Sequence, residues 1–482
     1  MQLLAVLRIL GLLLMIFSLA LMPPLGVSFA YHDGAHEAFI MAFLILFGMG
    51  LTLFLPLVKY RRELRLRDGF LVVVLFWVVL GLAGALPLVL STQPLISVTD
   101  AMFESMSGLT TTGATVIQGI DWLPESIRFY RQQLQWMGGM GIIVLAVAIL
   151  PMLGIGGMQL YRAEMPGPVK DKLTPRITET AKALWYIYLG LTVVCGVAYW
   201  LAGMSVFDAV GHAFSTVAIG GFSTHDASIG HYDSAAIEAI AVVFMVIAGG
   251  NFALHFRAWH HMSITGYLHD SEFRTFVTLL GLITVITTAY LYLTGTYPGL
   301  LQNLRHGLFQ SVSIATTTGF TTTGYHEWPT FLPVLLLFAS FVGACAGSTG
   351  GGLKVIRVLL LFKQGAREIQ RLIHPNAVIH IKVGGKTMPD RVIDAVWGFF
   401  AAYVATFSIL MLALMATGLD QRTAFSAMAA SINNLGPGLG DVSLHYGDIS
   451  ATAKWILAFA MLVGRLEVFT LLVILTPAFW RR

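Results

Sequence analysis

Apolar runs of about twenty residues recur ten times along this chain, and no other feature restricts its fold as much. They cover 3–22, 38–58, 70–91, 134–154, 185–203, 236–256, 275–296, 331–361, 392–418 and 455–477. A hydrocarbon core about 30 Å thick needs roughly 20 residues of helix to cross it. Inside lipid the backbone finds no water, so such runs must bond to themselves as helices. Composition agrees: 56% of residues are apolar and 11% charged, whereas a soluble domain carries about 25% charge. The expected fold is all-α and integral to a membrane. The first run sits where a signal peptide would, but its length and the closely following run at 38–58 read as a retained membrane helix.

Charge orients the spans. Lys59, Arg61, Arg62, Arg65 and Arg67 fall within 59–68, and Arg162, Lys170, Lys172, Arg176 and Lys182 within 155–182. Lys363, Arg367, Arg371, Lys382, Lys386 and Arg391 fall within 362–391, and the chain ends Arg481-Arg482. Segments 23–37, 219–235, 320–330 and 436–453 contain no Lys or Arg. This is the positive-inside pattern, and it puts both termini in the cytoplasm. The net charge of +4 is modest and gathered in these short connections, so no nucleic-acid partner is expected. Cys195 and Cys345 both lie in apolar runs and give neither a disulfide framework nor a thiolate metal site.

After the first two spans the rhythm changes. Long gaps on the non-basic side, at 92–133, 204–235, 297–330 and 419–454, each open with a short apolar stretch that runs into Thr, Ser, Asn and Gly. Such stretches are too short to span and suit a helix that dips in and returns as extended chain. The expected organisation is a hairpin at 1–68 and four helix–loop–helix repeats at 69–182, 183–274, 275–391 and 392–482. The repeat is visible directly. Phe103-Glu104-Ser105-Met106-Ser107-Gly108-Leu109-Thr110-Thr111-Thr112-Gly113 matches Phe309 through Gly319 at seven of eleven positions. Val217-Ala218-Ile219-Gly220 and Asn433-Asn434-Leu435-Gly436 occupy the corresponding places in the other two gaps. Gly113, Gly220, Gly319 and Gly436 are separated by 107, 99 and 117 residues, the mark of tandem units.

These residue types suit a cation site made of backbone. A K⁺ site replaces hydration water with rings of carbonyl oxygens, glycine reaches the backbone angles this demands, and the carbonyl end of each short helix faces a cation favourably. No Asp or Glu accompanies the four glycines, which excludes a ring of acidic side chains. The expected filter residues are Thr111, Thr112, Gly113, Ala218, Ile219, Gly220, Thr317, Thr318, Gly319, Asn434, Leu435 and Gly436, with K⁺ at them.

The segments SGLTTTGATV, STVAIGGFST, IATTTGFTTTG and INNLGPGLG resemble the TrkH/KtrB superfamily of K⁺ transport subunits, relatives of fungal Trk and plant HKT proteins. The likeness spans nearly the whole chain. The extra hairpin is similar to the TrkH/TrkG/TrkI branch; KtrB lacks it. The resemblance implies a pseudo-fourfold, K⁺ channel-like pore in a bacterial inner membrane. It also implies a homodimer on a cytosolic TrkA-like ring, with nucleotide reaching the system only through that partner. In the plant relatives a serine in the first loop accompanies Na⁺ preference; Gly113 here favours K⁺.

Two further features bear on conduction. Residues 343–352 hold Gly343, Gly347, Gly350, Gly351 and Gly352. Each glycine costs a helix about 1 kcal/mol relative to alanine, so the span 331–361 should unwind at mid-membrane and line a cavity. Lys354 follows without the adjacent Gly-Lys-Ser/Thr of a phosphate loop. Arg465 lies in the last apolar run, where a central arginine costs about 2.5–3.5 kcal/mol on insertion scales and usually faces an interior or an aqueous path. The resemblance implies that Gly347, Ser348, Thr349, Gly350, Gly351, Gly352 and Arg465 form a gate beneath the filter. The alternatives are a packing break for the glycines and an ion pair with Glu467 for Arg465. His255, His260 and His261 are expected as a wetted cluster, with metal binding as the alternative, and His212 as a hydrogen-bonded core residue, with a proton relay as the alternative. Three functions remain open: a gated K⁺ pore, a K⁺/H⁺ or K⁺/Na⁺ symporter, and an intramembrane enzyme, which would need convergent titratable groups.

Overall fold

Three of the four outer gaps begin with a side chain that can cap a helix, and a short helix starts at each. Ser97 accepts from the Asp100 N–H ahead of Val98–Leu109, and Ser205 from the Asp208 N–H ahead of Val206–Ala218. Asp420 accepts from the N–H groups of Arg422 and Thr423 ahead of Gln421–Ile432. Such caps satisfy donors that a helix start leaves unpaired. The remaining short helix, Gly299–Ala315, follows Pro298 without a side-chain cap. Ser97-Val98-Thr99-Asp100 and Ser205-Val206-Phe207-Asp208 are thus a second repeated motif.

A computed structural model describes residues 2–60, 65–144 and 177–481. Each short helix lies between two longer ones. The pairs are Leu66–Leu90 with Glu125–Val144, Ile177–Leu201 with Ala235–Ala248, Ser271–Leu293 with Phe331–Val342, and Asp390–Met415 with Ala451–Arg465. Ahead of them, Leu3–Leu19 continues through Met22–Tyr31 and pairs with His36–Phe54. Large apolar side chains such as Leu44, Val194, Leu282 and Ile409 face outward, while Thr110, Gln135, Thr318 and Asn434 are buried. This inversion of the soluble pattern is what immersion in lipid requires. The chain is a multi-pass membrane protein with a channel-like arrangement of helices and re-entrant segments.

Several spans differ from the sequence expectation. Six helices among the described residues are long and apolar enough to cross a membrane as single rods. The expected span 236–256 is instead Ala235–Ala248 and Phe252–His261, bent by 94°, because Gly249-Gly250 interrupts the helix and Asn251 caps the next one by accepting from the Ala253 N–H. The expected span 455–477 is Ala451–Arg465 and Phe469–Leu475, bent by 113°, with Glu467 and Val468 both at positive φ. In 331–361, helix stops at Val342 and restarts at Val355. The first span runs on to Tyr31. Residues 145–154 of the fourth run lie outside the described residues, as do Arg61, Arg62, Arg162, Lys170, Lys172 and Arg176.

Bland expectations fare differently. Cys195 and Cys345 are both buried, and neither is in a disulfide. His212 is fully buried, bonded through its ring nitrogens to the Asp208 carbonyl at 2.8 Å and the Ser223 hydroxyl at 2.9 Å. His255 is not wetted: it is buried against the Tyr267 hydroxyl at 2.7 Å and the Ile247 carbonyl at 2.9 Å, while His260 and His261 stay exposed.

A buried ion pair ties the first repeat together. Glu104, on the short helix, meets Arg131 on the following helix at 2.7 Å, and both side chains are within 1% of fully buried. Glu104 also accepts from the Thr115 hydroxyl and, at 2.9 Å, from the Val116 N–H of the returning loop. Arg131 lies over the Phe222 ring of the second repeat at 4.3 Å. Removing one partner of such a pair costs about 3–5 kcal/mol because the other charge stays buried. Arg131→Met is therefore expected to lower thermal stability in detergent by about that amount, while Arg131→Met with Glu104→Gln recovers most of it; equal melting of all three proteins would show the pair to be dispensable.

Candidate functional site

The four short helices end in the same way. At each end an N–H reaches back to a carbonyl five residues earlier: Thr112 to Ser107 at 2.8 Å, Gly220 to Ser215 at 2.9 Å, Thr318 to Ser313 at 2.8 Å and Leu435 to Ala430 at 2.8 Å. The residue before each donor has positive φ: Thr111 at 52°, Ile219 at 53°, Thr317 at 68° and Asn434 at 54°. This left-handed turn closes a helix C-terminus. It is normally glycine's place, and a side chain there stores strain of about 1–3 kcal/mol. Each turn is followed by a glycine of positive φ: Gly113, Gly221, Gly319 and Gly436, at 81°, 77°, 84° and 97°.

These four glycines close a ring. A Cβ on Gly113 would run into the carbonyl oxygen of Gly220, one on Gly221 into that of Thr318, one on Gly319 into that of Leu435, and one on Gly436 into that of Thr112. Each loop thus presses a glycine Cα against the carbonyl that precedes the glycine of the next loop. All four line one outward-opening cavity of about 330 Å³.

The ring corrects the register expected for the second loop. The residues equivalent to Thr111-Thr112-Gly113 are Ile219-Gly220-Gly221, one position beyond Ala218-Ile219-Gly220. Ala218 is the last residue of its helix, and Gly220 faces the side chain of Gln135, not a neighbouring loop. With two adjacent glycines the sequence match chose the first. The signal that separates them is Ser-x5-Gly, which runs Ser107 to Gly113, Ser215 to Gly221 and Ser313 to Gly319. In the other three loops the structure brings together Thr111, Thr112, Gly113, Thr317, Thr318, Gly319, Asn434, Leu435 and Gly436 at the ring.

Beneath the ring lies the glycine-rich segment 343–354, bonded to the inner side of the turns. The Gly351 N–H donates to the Thr317 hydroxyl at 2.7 Å, the Gly352 N–H to the Asn433 carbonyl at 3.1 Å and the Thr349 hydroxyl to the Val217 carbonyl at 3.0 Å. Arg465 supplies the fourth connection: its guanidinium donates to the Thr111 hydroxyl and, at 3.0 Å, to the Thr349 carbonyl. Arg465 ends its helix and does not pair with Glu467, which instead meets Arg357 at 2.5 Å. The Lys354 ammonium folds back on the Gly350 carbonyl. The segment therefore touches all four repeats, three directly and one through Arg465.

Some participants carried no sequence signal. Gln135 donates to the Gly220 carbonyl at 2.6 Å and accepts from the Phe222 N–H at 3.0 Å, holding the second loop from the first repeat. The Tyr446 hydroxyl donates to the Gly436 carbonyl at 2.8 Å. On the outer rim, burial alone would lower the pKa of His225, but the Asp208 and Asp121 carboxylates outweigh it and the net shift is upward.

Residues 35–481 match the model of the TrkH family, described as a cation transport protein. The chain is 60% identical to the Trk system potassium uptake protein TrkH of Vibrio parahaemolyticus, with all of both chains covered. It is 56% identical to the protein of that name in Escherichia coli K12, with 99% of each covered. Among solved structures, the crystal structure of the potassium transporter TrkH from Vibrio parahaemolyticus matches at a TM-score of 0.94 and 57% identity, covering both chains completely.

The register makes a discriminating prediction. Gly113→Ser and Gly221→Ser put a Cβ into neighbouring backbone at positive φ and should each strongly reduce discrimination between K⁺ and Na⁺. Gly220→Ala meets only a side chain and should retain more of it. Paired K⁺ and Na⁺ fluxes through reconstituted variants decide this; Gly220→Ala proving more damaging than Gly221→Ser would restore the original register.

Proposed function

Because the chain belongs to the TrkH family of cation transport proteins, within its TrkH/TrkG/TrkI branch, we propose that it is the translocating subunit for K⁺ uptake in a Trk-type system, working as a gated pore. It is a membrane transporter and not an enzyme. The observation that carries the pore reading is the closed ring of Gly113, Gly221, Gly319 and Gly436, each against a carbonyl of the next loop. A ring of backbone oxygens can replace the water shell of K⁺ without any acidic side chain. The four short helices end at this ring, so their carbonyl ends favour a cation on the axis. The filter comprises Thr111-Thr112-Gly113, Ile219-Gly220-Gly221, Thr317-Thr318-Gly319 and Asn434-Leu435-Gly436.

The gate is the segment Gly347 to Gly352 together with Arg465. The bonds of the segment to Thr317, Asn433 and Val217 beneath the ring support a plug, and Arg465 beside Thr111 supports a positive charge at the same place. A cation leaving the filter must pass that charge. A unit charge about 8 Å away at an effective dielectric of about 20 raises its energy by about 2 kcal/mol, or about thirtyfold in rate. Opening requires the segment to leave its partners Thr317, Asn433 and Val217. The helix Val355–Ile373 follows directly, so a partner that moves it moves the plug. The partner is a cytosolic, TrkA-like ring that binds the nucleotide, beneath a homodimer of this chain. The protein resides in the bacterial inner membrane with both termini cytoplasmic; the basic connections support that orientation.

Two outcomes are expected in proteoliposomes. The parent should carry K⁺ at a reversal potential set by the K⁺ gradient alone; a dependence on pH or Na⁺ gradients would favour symport. Arg465→Ala, and deletion of Ser348 through Gly351, should each raise K⁺ flux about tenfold or more and blunt the response to the partner ring. Unchanged flux in a variant that folds normally would remove the residue or segment from the gate.

A further inference from the structure

The outer rim of the cavity carries a group of side chains that conduction does not use. Among the described residues, Asp121, His225 and His231 each offer one ligand atom within 4.8 Å of the other two. Asp121 belongs to the Ile120–Trp122 turn of the first repeat, and His231 to the Ser228–Tyr232 turn of the second. The rings of His225 and His231 stack face to face, 3.6 Å between centroids and 2° between planes. Nδ1 of His225 donates to Asp121 at 2.5 Å. Its Nε2 is buried without a hydrogen-bond partner and lies 3.6 Å from an Asp208 carboxylate oxygen.

We propose that Asp121, His225 and His231 form a binding site for a late first-row divalent cation of the Zn²⁺ type. Imidazole nitrogen with carboxylate oxygen is the donor set for Zn²⁺, Ni²⁺ or Cu²⁺, whereas Ca²⁺ and Mg²⁺ take oxygen alone. Zinc bonds of about 2.0–2.2 Å place tetrahedral ligand atoms about 3.3–3.5 Å apart. The Asp121 carboxylate must therefore draw back by about 1 Å and the rings must splay. Asp121 and His231 are exposed side chains on turns and have room to do so. When Nδ1 of His225 turns its lone pair to the metal, the ring proton moves to Nε2, which already faces Asp208. A carboxylate behind a ligating histidine is the usual means of fixing its tautomer and orientation. The Asp226 N–H, donating to the other Asp121 oxygen at 3.2 Å, orients the carboxylate in the same way. Three protein ligands leave one position for water, as befits a reversible site.

The site has a consequence for transport. His225 and Asp226 line the same cavity as the four ring glycines, and the ligands come from two repeats. A bound divalent ion adds positive charge at the entrance and ties the two outer loops together, so it should slow cation entry. This consequence rests on the K⁺-uptake reading; the binding itself does not.

The test uses untagged, full-length protein. Zn²⁺ is titrated in detergent against a chromophoric chelator, and Co²⁺ absorption reports four-coordinate geometry. The parent should bind one Zn²⁺ per chain, with affinity falling at least about tenfold in His231→Ala and in Asp121→Asn but not in His260→Ala. In proteoliposomes, Zn²⁺ on the outer face should slow K⁺ entry through the parent. His231→Ala should resist it while keeping the parent's zinc-free flux. Equal Zn²⁺ binding by the parent and both ligand variants, or none by the parent, overturns the site. Ligand-dependent binding without an effect on flux overturns its control of entry. Absence of K⁺ flux in zinc-free parent would instead strike at the uptake reading.

Discussion

A helix that stops in the middle of a membrane leaves carbonyl groups facing a medium that cannot bond them, and this chain does so four times. Each end is closed by one N–H folding back across a left-handed residue, Thr111, Ile219, Thr317 or Asn434. That turn sets the direction of the next residues, and the glycine after it lets the loop press on its neighbour. Because every loop presses on the next, no one of them can shift alone. Glu104 with Arg131, Gln135 on the Gly220 carbonyl, and Tyr446 on the Gly436 carbonyl brace the ring from outside. Gln135 and Arg131 of the first repeat both reach the second loop, so the ring is held between repeats and not within one.

The fourfold pattern is broken on the inner side, and the breaks belong together. The second repeat interrupts its trailing helix at 249–251, the third unwinds over 343–354, and the fourth turns sharply at 466–468. The segment of the third repeat uses the room the others leave. The Cys345 N–H donates to the Gly249 carbonyl at 3.0 Å, and the Phe252 N–H to the Gly347 carbonyl at 3.1 Å. Arg465, at the start of the fourth repeat's turn, reaches the Thr349 carbonyl. The second and third departures from straight helix thus satisfy each other's backbone groups, and the fourth adds the Arg465 side chain to the third.

Charge is distributed by the same logic. Arg465, Arg357 and Lys354 are all buried near this segment, and Glu467 pairs with Arg357 at 2.5 Å. Arg465 has hydroxyl and carbonyl oxygens as its bonded partners. A guanidinium held by neutral oxygens keeps its full charge against anything on the axis, whereas one closed on a carboxylate would not. On the proposed gating role, this is what the separation of Arg465 from Glu467, two residues apart in sequence, contributes.

The sequence by itself determined the membrane class, the order of elements and the repeat, because these rest on local quantities: run length, charge between runs, and recurrence of Ser, Thr and Gly. It also located three of the four ring glycines and the glycine-rich segment, since glycine density is unfavourable to helix wherever it occurs. Tertiary structure alone decided the rest. Between Gly220 and Gly221 the choice depends on which Cα meets the Thr318 carbonyl of another repeat, a contact nearly a hundred residues distant in the chain. The partner of Glu467 depends on where Arg357 lies, and the partner of Arg465 on where segment 343–354 comes to rest. Asp121, His225 and His231 gather on the rim only because two outer loops fold toward one another. Periodicity and propensity describe a residue's neighbours along the chain, and these features are made by neighbours across it.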